Sequence, residues 1–311
     1  MPRSPSPHHN IMLSISTSWN SHRHTSGRDI IDEIKAAGFD TVELNFALTE
    51  SAVEEILSQK DRGLIMISSL HNMCPLPTEV APEHASPDYY CLSSPDKAER
   101  KRAVKAAERT LIYAKRLGAG AVVLHAGRIE MKDRTRDLAS LREEPGRFES
   151  LRSEMVHQRL GLGKAYLENV VHSLEELVPF ANGLGVAIGI ENRYYYREIP
   201  VMEELEALFA HFKTGEIYYW HDVGHAEVFE RLGLASHREL LKRFSGRLLG
   251  MHLHDIIGPI TDHRAPGKGT FDFSIVKPYI RPETILVMEV HEPATAQDIR
   301  AGADHLARVL H

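Results

Sequence analysis

Cysteine is scarce in this sequence, since Cys74 and Cys91 are the only two among 311 residues. Two thiols cannot form the disulfide framework that holds small secreted proteins together. Long apolar runs are also missing, and no stretch approaches the roughly 18 residues that a membrane span needs. The first ten residues, MPRSPSPHHN, have no apolar core of the kind found in signal peptides. We therefore expect a cytoplasmic protein with no membrane partner, whose residues 1–10 form a disordered tail.

Basic charge is in short supply as well. The chain carries 37 Lys and Arg against 43 Asp and Glu, which gives a formal net charge of −6. Binding to duplex DNA depends on clustered cations that neutralise phosphates, so nucleic acid is not an expected partner. The first apolar run is followed by Thr17–His24 (TSWNSHRH), which is not a glycine-rich phosphate loop. This disfavours an open, doubly wound nucleotide-binding sheet.

The chain does contain a regular alternation of short apolar runs and amphipathic stretches. This alternation predicts repeated βα units around a parallel sheet, and eight such runs fit a single-domain α/β protein, a (β/α)8 TIM barrel over residues 11–311. The predicted strands are Ile11–Ser16, Thr41–Leu44, Leu64–Leu70, Ala121–His125, Val186–Glu191, Ile217–His221, Leu248–His252 and Ile285–Val290. The clearest predicted helices are Asp29–Ala37, Glu99–Leu117, Leu167–Leu184, Met202–Phe212 and Thr295–Leu310.

Two long loops are predicted after the third and fourth strands, at His71–Ser94 and Ala126–Lys164. In such a barrel the loops that follow the strands form the active face, and long ones often serve as lids or binding elements. The first loop, with its prolines and with Tyr89 and Tyr90, is predicted to cap a substrate. The second interleaves many arginines with acidic residues, a pattern typical of a solvated helical face.

Metal-competent side chains stand at or near the carboxyl ends of six consecutive predicted strands, a pattern that core packing would not produce. Imidazole and carboxylate ligands together suit zinc, with manganese as the alternative. A charge in a buried barrel mouth is costly unless it is paired or bound to a cation. We therefore predict a divalent metal site. Its candidate ligands are His71, His125, Glu191, Asp222, His252 and Glu289 at the strand ends, with His225 and His263 from the following segments.

Several motifs give the chain a resemblance to the xylose isomerase-like TIM-barrel superfamily, which includes sugar isomerases and epimerases and the endonuclease IV group. They are IGIEN, HDVGHA, MHLHD with DHRAPGKGTFDF, and LVMEV. In the epimerase branch the resemblance implies one metal ion held by Glu191, Asp222, His252 and Glu289. It also implies that His225 touches the substrate and that the two glutamates move protons on opposite faces of a ketose.

The endonuclease IV branch, by the same resemblance, uses these four positions and adds histidines that hold two or three zinc ions. His71, His125, His225 and His263 stand where those additional ligands are expected. That branch carries an Asp two residues before its last His, whereas this chain has Thr261 there. The resemblance thus implies between one and three ions, with the third the least supported.

The number of ions decides the predicted reaction. Two neighbouring ions suit phosphoester cleavage because they activate water and stabilise the leaving oxygen. The extra histidines make metal-assisted hydrolysis of a phosphoester-type bond the leading prediction, in a small sugar-containing molecule or in a bulkier nucleotide-like or cobamide substrate. The alternative is sugar or sugar-phosphate isomerisation or epimerisation, with Glu191 and Glu289 as the proton-transfer pair. A non-catalytic sugar-binding protein is a further alternative.

Four residues are predicted to contact the substrate. Arg128 and Arg193 each follow a candidate metal ligand within three residues, and guanidinium groups bind phosphate or carboxylate in bidentate fashion. His254 and Asp255 complete the motif MHLHD. The expected partner is thus a small, anionic molecule, and a homodimer is an assembly that the sequence allows. The histidines predicted to be solvated at the surface are His22, His24, His237 and His311.

Overall fold

A closed barrel of eight parallel strands forms the centre of the fold in the computed structural model, which describes residues 12–310. The barrel strands are β1 (Leu13–Ser16), β2 (Thr41–Leu44), β3 (Met66–His71), β4 (Ala121–Leu124), β5 (Ala187–Glu191), β6 (Tyr218–Asp222), β7 (Leu248–Leu253) and β10 (Ile285–Met288). The strand β1 closes the barrel by pairing with both β2 and β10. Between β7 and β10, β8 (Asp255–Ile257) and β9 (Thr261–Arg264) form an antiparallel hairpin. The predicted (β/α)8 barrel is confirmed.

Helices pack around the barrel and alternate with its strands. They are α1 (Gly27–Ala36), α2 (Glu50–Asp61), α3 (Lys97–Leu117), α4 (Thr135–Ser140), α5 (Pro145–Leu184), α6 (Met202–His211), α7 (Val223–Arg231), α8 (His237–Phe244) and α9 (Ala296–Leu310). Gly118 and Gly185 end α3 and α5 in the left-handed conformation, with φ of 71° and 69°. A side chain disfavours that conformation, so the glycines terminate these helices before the next strand. None of the described helices is both long and apolar enough to cross a bilayer.

The predicted element ends differ from the observed ones mainly where loops meet helices. The seven strands after the first have ends within two residues of the prediction. Ile11, the tail 1–10 and His311 lie outside the described residues. The helices α2, α7 and α8 were not among those predicted. The helices α7 and α8 are amphipathic over only two or three turns, which is too short for the helical repeat of apolar residues to stand out in the sequence.

The largest correction concerns the segment Ala126–Lys164, predicted as a loop. The structure has the short helix α4 there, and α5 begins at Pro145 and runs for 40 residues, about 60 Å at 1.5 Å per residue. Gly161 and Gly163 interrupt the helical pattern in the sequence, and glycine costs about 1 kcal/mol in a helix interior. Tertiary packing overrides that cost at Gly163, which is buried against Ile129.

One arginine of the charged run is buried rather than solvated. Arg159, on α5, is 4% exposed, and its guanidinium lies 2.5 Å from the Glu204 carboxylate at the start of α6. The same guanidinium donates to the carbonyl oxygens of Tyr196 and Glu198. These bonds attach α5 to the segment between β5 and α6, which forms one side of the active face.

The interior of the barrel is divided into an apolar part and a polar part. Ala121, Val123, Trp220 and Val287 form a small buried cluster inside the barrel. A Cβ on Gly250 would lie 2.5 Å from the Trp220 ring, so the glycine of the motif LGMH makes room for the indole. The apolar cluster thus fills the barrel interior beneath the charged residues at the carboxyl ends of the strands.

Candidate metal centre

Four of the predicted ligands meet at the carboxyl end of the barrel, and we call them the central group. Glu191 and Asp222 are the last residues of β5 and β6, His252 lies near the end of β7, and Glu289 directly follows β10. All four are buried, and each offers a ligand atom within 4.8 Å of the others. Because parallel strands end on one face of the barrel, side chains far apart in sequence converge there.

The donor atoms of the central group fit a divalent cation. His252 Nδ1 lies 2.8 Å from a Glu191 oxygen, 3.0 Å from a Glu289 oxygen and 3.6 Å from an Asp222 oxygen. One N–H can donate to only one of these three carboxylates at a time, whereas a cation bonds to several oxygens and a nitrogen at once. A set of three carboxylates and one imidazole suits zinc or manganese.

The electrostatics of the centre also favour a cation. Burial works to raise the pKa of Glu191 and of Asp222, but the surrounding imidazoles outweigh it and lower both values. Burial works to lower the pKa of His252, while Glu289, Glu43 and Glu191 outweigh it and raise that value. Positive charge is therefore stabilised at this point of the barrel mouth.

A second donor group shares Glu191 with the central group and consists of His71, His125 and Glu191. His125 Nε2 lies 2.7 Å and His71 Nε2 3.6 Å from the same Glu191 oxygen. The two imidazole rings meet edge to face, with 4.7 Å between their centroids. The Glu191 carboxylate, which belongs to the central group, thus also lies close to one imidazole nitrogen of His71 and one of His125.

A third donor group involves the β8–β9 hairpin and consists of His225, Asp262 and His263. His225 Nε2 lies 3.7 Å from Asp262 Oδ2, and His263 Nε2 lies 3.6 Å from Glu289 Oε2. His263 has a φ of 53°, which is uncommon for a residue with a side chain. Backbone strain of this kind clusters at ligand sites. Thr261 stands where the endonuclease IV pattern has an Asp. In this chain the carboxylate of the third donor group comes from the adjacent residue, Asp262.

A cavity of about 560 Å³ is lined by members of each of the three donor groups described above. Glu191, His225 and Glu289 line its floor, and Phe46 and Tyr194 add aromatic surface. Its size suits a small ligand of sugar dimensions with room for part of a larger one.

The sequence profile of the xylose isomerase-like TIM barrel family (AP_endonuc_2) matches residues 31–309. The chain belongs to this family. Among curated proteins, none matches the chain.

Solved structures with the same fold include several sugar epimerases. A D-tagatose 3-epimerase-like protein is 17% identical over 96% of this chain and 97% of its own, with a TM-score of 0.69. The 3-keto-D-glucoside 4-epimerase YcjR from E. coli is 17% identical over 96% and 99%, with a TM-score of 0.66. The TTHB071 protein from Thermus thermophilus, solved after soaking with ZnCl2, is 20% identical over 96% and 97%, with a TM-score of 0.55. At these identities the likeness concerns the fold.

The predicted substrate residues of this xylose isomerase-like barrel differ in their surroundings. Arg193 lines the cavity, but it is 4% exposed and its guanidinium is paired with Asp88, Glu191 and Glu198. Arg128 is half-buried, donates to the Asp88 carbonyl oxygen and is outside the lining of the cavity. Both arginines thus hold the protein's own groups, and their contact with a substrate stays a prediction.

His254 and Asp255 lie behind the cavity. His254 is fully buried, and its Nε2 lies 3.0 Å from both oxygens of Asp222. The Asp255 carboxylate accepts backbone N–H groups from Ile256, Gly267, Gly269 and Phe271. His254 is thus placed to orient the metal ligand Asp222, and Asp255 orders the loop whose N–H groups it binds.

Other residues at the site were missed or misjudged from the sequence. Glu43, at the end of β2, is fully buried and lies 3.0 Å from His252 Nε2. Its position at a strand end is the signal that could have revealed it. His237, predicted to be solvated, is buried and lies 2.9 Å from His221. Its helix, α8, was not predicted, so its burial could not be anticipated.

Replacing Gly224 with alanine is expected to disturb the central group indirectly. A Cβ at Gly224 would lie 2.0 Å from the His254 ring, which is bonded to Asp222. We expect a loss of about 1–3 kcal/mol in the free energy of unfolding, as for other overpacked sites, together with weaker zinc binding. Denaturant titration and zinc titration measure the two effects. Gly161→Ala on α5, where a Cβ meets no atom within 4 Å, is the matched control, and an equal effect in both variants would contradict the prediction.

Proposed function

We propose that this barrel is a divalent-metal-dependent isomerase or epimerase acting on a sugar or a sugar derivative, with zinc as the leading metal and manganese as the second. The observation that carries the proposal is the pair Glu191 and Glu289. Their carboxylates come from different strands, belong to one donor group and face the same cavity. The epimerases among the solved structures of this fold support the same reaction class. The epimerase alternative is thus better supported than the hydrolysis that the extra histidines first favoured.

Glu191, Asp222, His252 and Glu289 would hold the metal ion. When bound there, a divalent cation polarises a substrate carbonyl and makes the neighbouring C–H bond more acidic. Arg193 lies 3.3 Å from Glu191 and helps to keep this carboxylate charged and fixed in place.

The two glutamates carry the proton transfers in this proposal. One carboxylate takes the proton from the carbon next to the carbonyl, and the other, in its protonated form, returns a proton to the opposite face. His225 lies at the cavity floor with its Nδ1 3.1 Å from the Asn192 carbonyl oxygen, so Nδ1–H donates there and Nε2 faces the cavity side. This position suits a substrate hydroxyl. General acid–base transfer of this kind contributes about 100- to 10,000-fold to rate.

Metal-assisted hydrolysis of a phosphoester-type bond is the second candidate. It is favoured by the second and third donor groups. The second group shares Glu191 with the central group, and His263 of the third group lies 3.6 Å from Glu289 of the central group. Several ions held this close could activate water and stabilise a leaving oxygen. A nucleotide-like or cobamide substrate belongs to this candidate, since the cavity leaves room for part of a larger ligand.

The decisive experiment combines metal content with solvent exchange. The purified protein is loaded with zinc or manganese, the ions per chain are counted, and a panel of ketoses and ketose phosphates is incubated in D₂O. The proposal expects deuterium to enter the carbon next to the carbonyl, with this exchange retained in the double variant His71→Ala, His125→Ala. Loss of activity in the double variant together with cleavage of a phosphodiester without exchange would instead establish the second candidate, whatever the number of ions per chain. A protein that takes up no metal and exchanges no proton would support the non-catalytic sugar-binding alternative.

A further inference from the structure

We propose that Asp88, in the loop between β3 and α3, is a positioning residue that orients His125 for metal binding and couples this loop to the metal centre. The inference rests on the proposed second donor group of His71, His125 and Glu191, and it is independent of which reaction the enzyme performs. Asp88 lies 37 residues before His125 in the chain. Their contact therefore depends entirely on the fold.

The two nitrogens of His125 have different neighbours. Nδ1–H donates to Asp88 Oδ2 at 3.0 Å, while Nε2 lies 2.7 Å from Glu191 Oε2. A carboxylate bonded to Nδ1 keeps the hydrogen on that nitrogen and leaves the Nε2 lone pair for a metal ion. Asp88 thus selects the ring orientation and the tautomer that the donor group needs.

His71, the other histidine of this group, is oriented by a hydrogen bond to its own neighbour in the chain. Its Nδ1–H donates to the carbonyl oxygen of the next residue, Asn72, at 2.9 Å. The acceptor for His71 is thus part of the adjacent peptide, whereas the acceptor for His125 comes from a distant loop. The orientation of one ligand is built into its strand, and that of the other depends on where the loop lies.

Asp88 is held firmly enough to perform this role. Its side chain is 11% exposed, and Oδ2 also accepts from Arg193 Nη2 at 3.0 Å. Its carbonyl oxygen accepts from Arg128 Nη1 at 3.1 Å. Since Arg193 also pairs with Glu191 at 3.3 Å, Asp88, Arg193, Glu191 and His125 form a closed ring of four charged or polar side chains.

This ring links the order of the loop to the occupancy of the metal centre. By thermodynamic reciprocity, whatever free energy the ordered loop adds to metal binding, the bound metal adds to the order of the loop. Chymotrypsin cleaves after accessible aromatic residues, and the side chain of the neighbouring residue Tyr89 is 41% exposed. Zinc is therefore expected to slow chymotryptic cleavage after Tyr89.

The test compares zinc binding and proteolysis in four full-length proteins: the unchanged chain, Asp88→Ala, Asp88→Asn and Glu83→Gln. Glu83 is an exposed carboxylate of the same loop and serves as the matched control. Zinc affinity is measured by competition with a chelating dye. Asp88→Ala is expected to weaken binding at the second donor group about 10- to 100-fold, the usual effect of removing such a partner. Asp88→Asn retains an oxygen acceptor for His125, so its zinc affinity is expected to lie between those of Asp88→Ala and the unchanged protein. Glu83→Gln is expected to bind zinc as tightly as the unchanged protein.

Two further readouts separate positioning from a general loss of structure. In the zinc-loaded proteins, the ¹⁵N chemical shifts of His125 are expected to report a hydrogen on Nδ1 and a metal-bound Nε2 in the unchanged chain, and a mixture of tautomers in Asp88→Ala. Zinc is expected to protect the Tyr89 site in the unchanged protein and not in Asp88→Ala, while Asp88→Ala keeps the secondary structure of the unchanged protein by circular dichroism and still binds zinc at the central group. Equal zinc affinity and equal protection in Asp88→Ala would overturn the proposal while leaving the proposed enzyme function intact. Absence of zinc from His71 and His125 in the unchanged protein would overturn the positioning role at its premise.

Discussion

Replacing Glu191 with glutamine is expected to remove bound metal and to lower activity by about 100- to 10,000-fold, the range for loss of an acid–base group. Glu191 belongs to both the central and the second donor group, so one substitution reaches both. Glutamine has nearly the same shape but no charge, and it leaves Arg193 and His252 without one of their carboxylate partners. Metal content by elemental analysis and the rate of solvent deuterium exchange are the measurements.

The matched control for this experiment is Glu198→Gln. Glu198 also pairs with Arg193, at 3.1 Å, and is also buried, but it belongs to none of the donor groups. Both variants remove a carboxylate beside the same guanidinium, so a general electrostatic disturbance would affect them alike. We expect Glu198→Gln to retain its metal. Full metal content in Glu191→Gln would contradict the assignment of the central group.

Replacing Arg159 with methionine is expected to lower the free energy of unfolding by about 3–5 kcal/mol, as when one partner of a buried ion pair is removed. Arg159 and Glu204 are both buried, and the guanidinium also bonds two backbone carbonyls. Methionine retains most of the apolar stem, so the loss reflects the charge and its hydrogen bonds. Urea unfolding followed by circular dichroism gives the measurement.

The pH dependence of this loss identifies its cause. Burial raises the pKa of Glu204, and Arg159 opposes that rise. Without the arginine, the folded-state pKa rises further, so the protonated carboxyl stabilises the variant at low pH and this contribution is lost as pH rises. The deficit is thus expected to be larger at about pH 8 than at about pH 5.

The matched control is Arg147→Met on the same helix. Arg147 pairs with Glu144 at 2.7 Å, but both side chains are well exposed. Exposed pairs contribute little, so we expect a change within about 0.5 kcal/mol. A similar loss in both variants would indicate that helix propensity rather than the buried pair is responsible.

The fold and the central group could be predicted from sequence because both follow from short-range signals. Apolar runs mark the strands, and in a parallel barrel the residue at each strand end faces the same mouth. Glu191, Asp222 and His252 are therefore identified by counting along strands. Glu43 stands at such a position too, and reading β2 in the same way would have included it.

The rest of the site depends on contacts that sequence spacing does not reveal. Asp88 meets His125 only because a loop folds back over the barrel mouth. Asp262 joins His225 through the turn of the hairpin formed by β8 and β9. Arg159 lies in a run of alternating charges, and its burial follows from a partner 45 residues away. Long-range pairs of this kind are set by tertiary packing rather than by local pattern.

The two walls of the cavity differ in how freely they could be redesigned. On one side, Arg193 and Glu198 form a buried ion pair, so a substitution at either residue leaves a buried charge with one partner fewer. On the other side, Ile260 and Thr261 lie at the hairpin turn, with Thr261 exposed, and Tyr194 donates to the Ile260 carbonyl oxygen rather than to its side chain. A mutant library for altered substrate preference should therefore begin with the side chains of the hairpin turn, where variation leaves the backbone contact and the charge network in place.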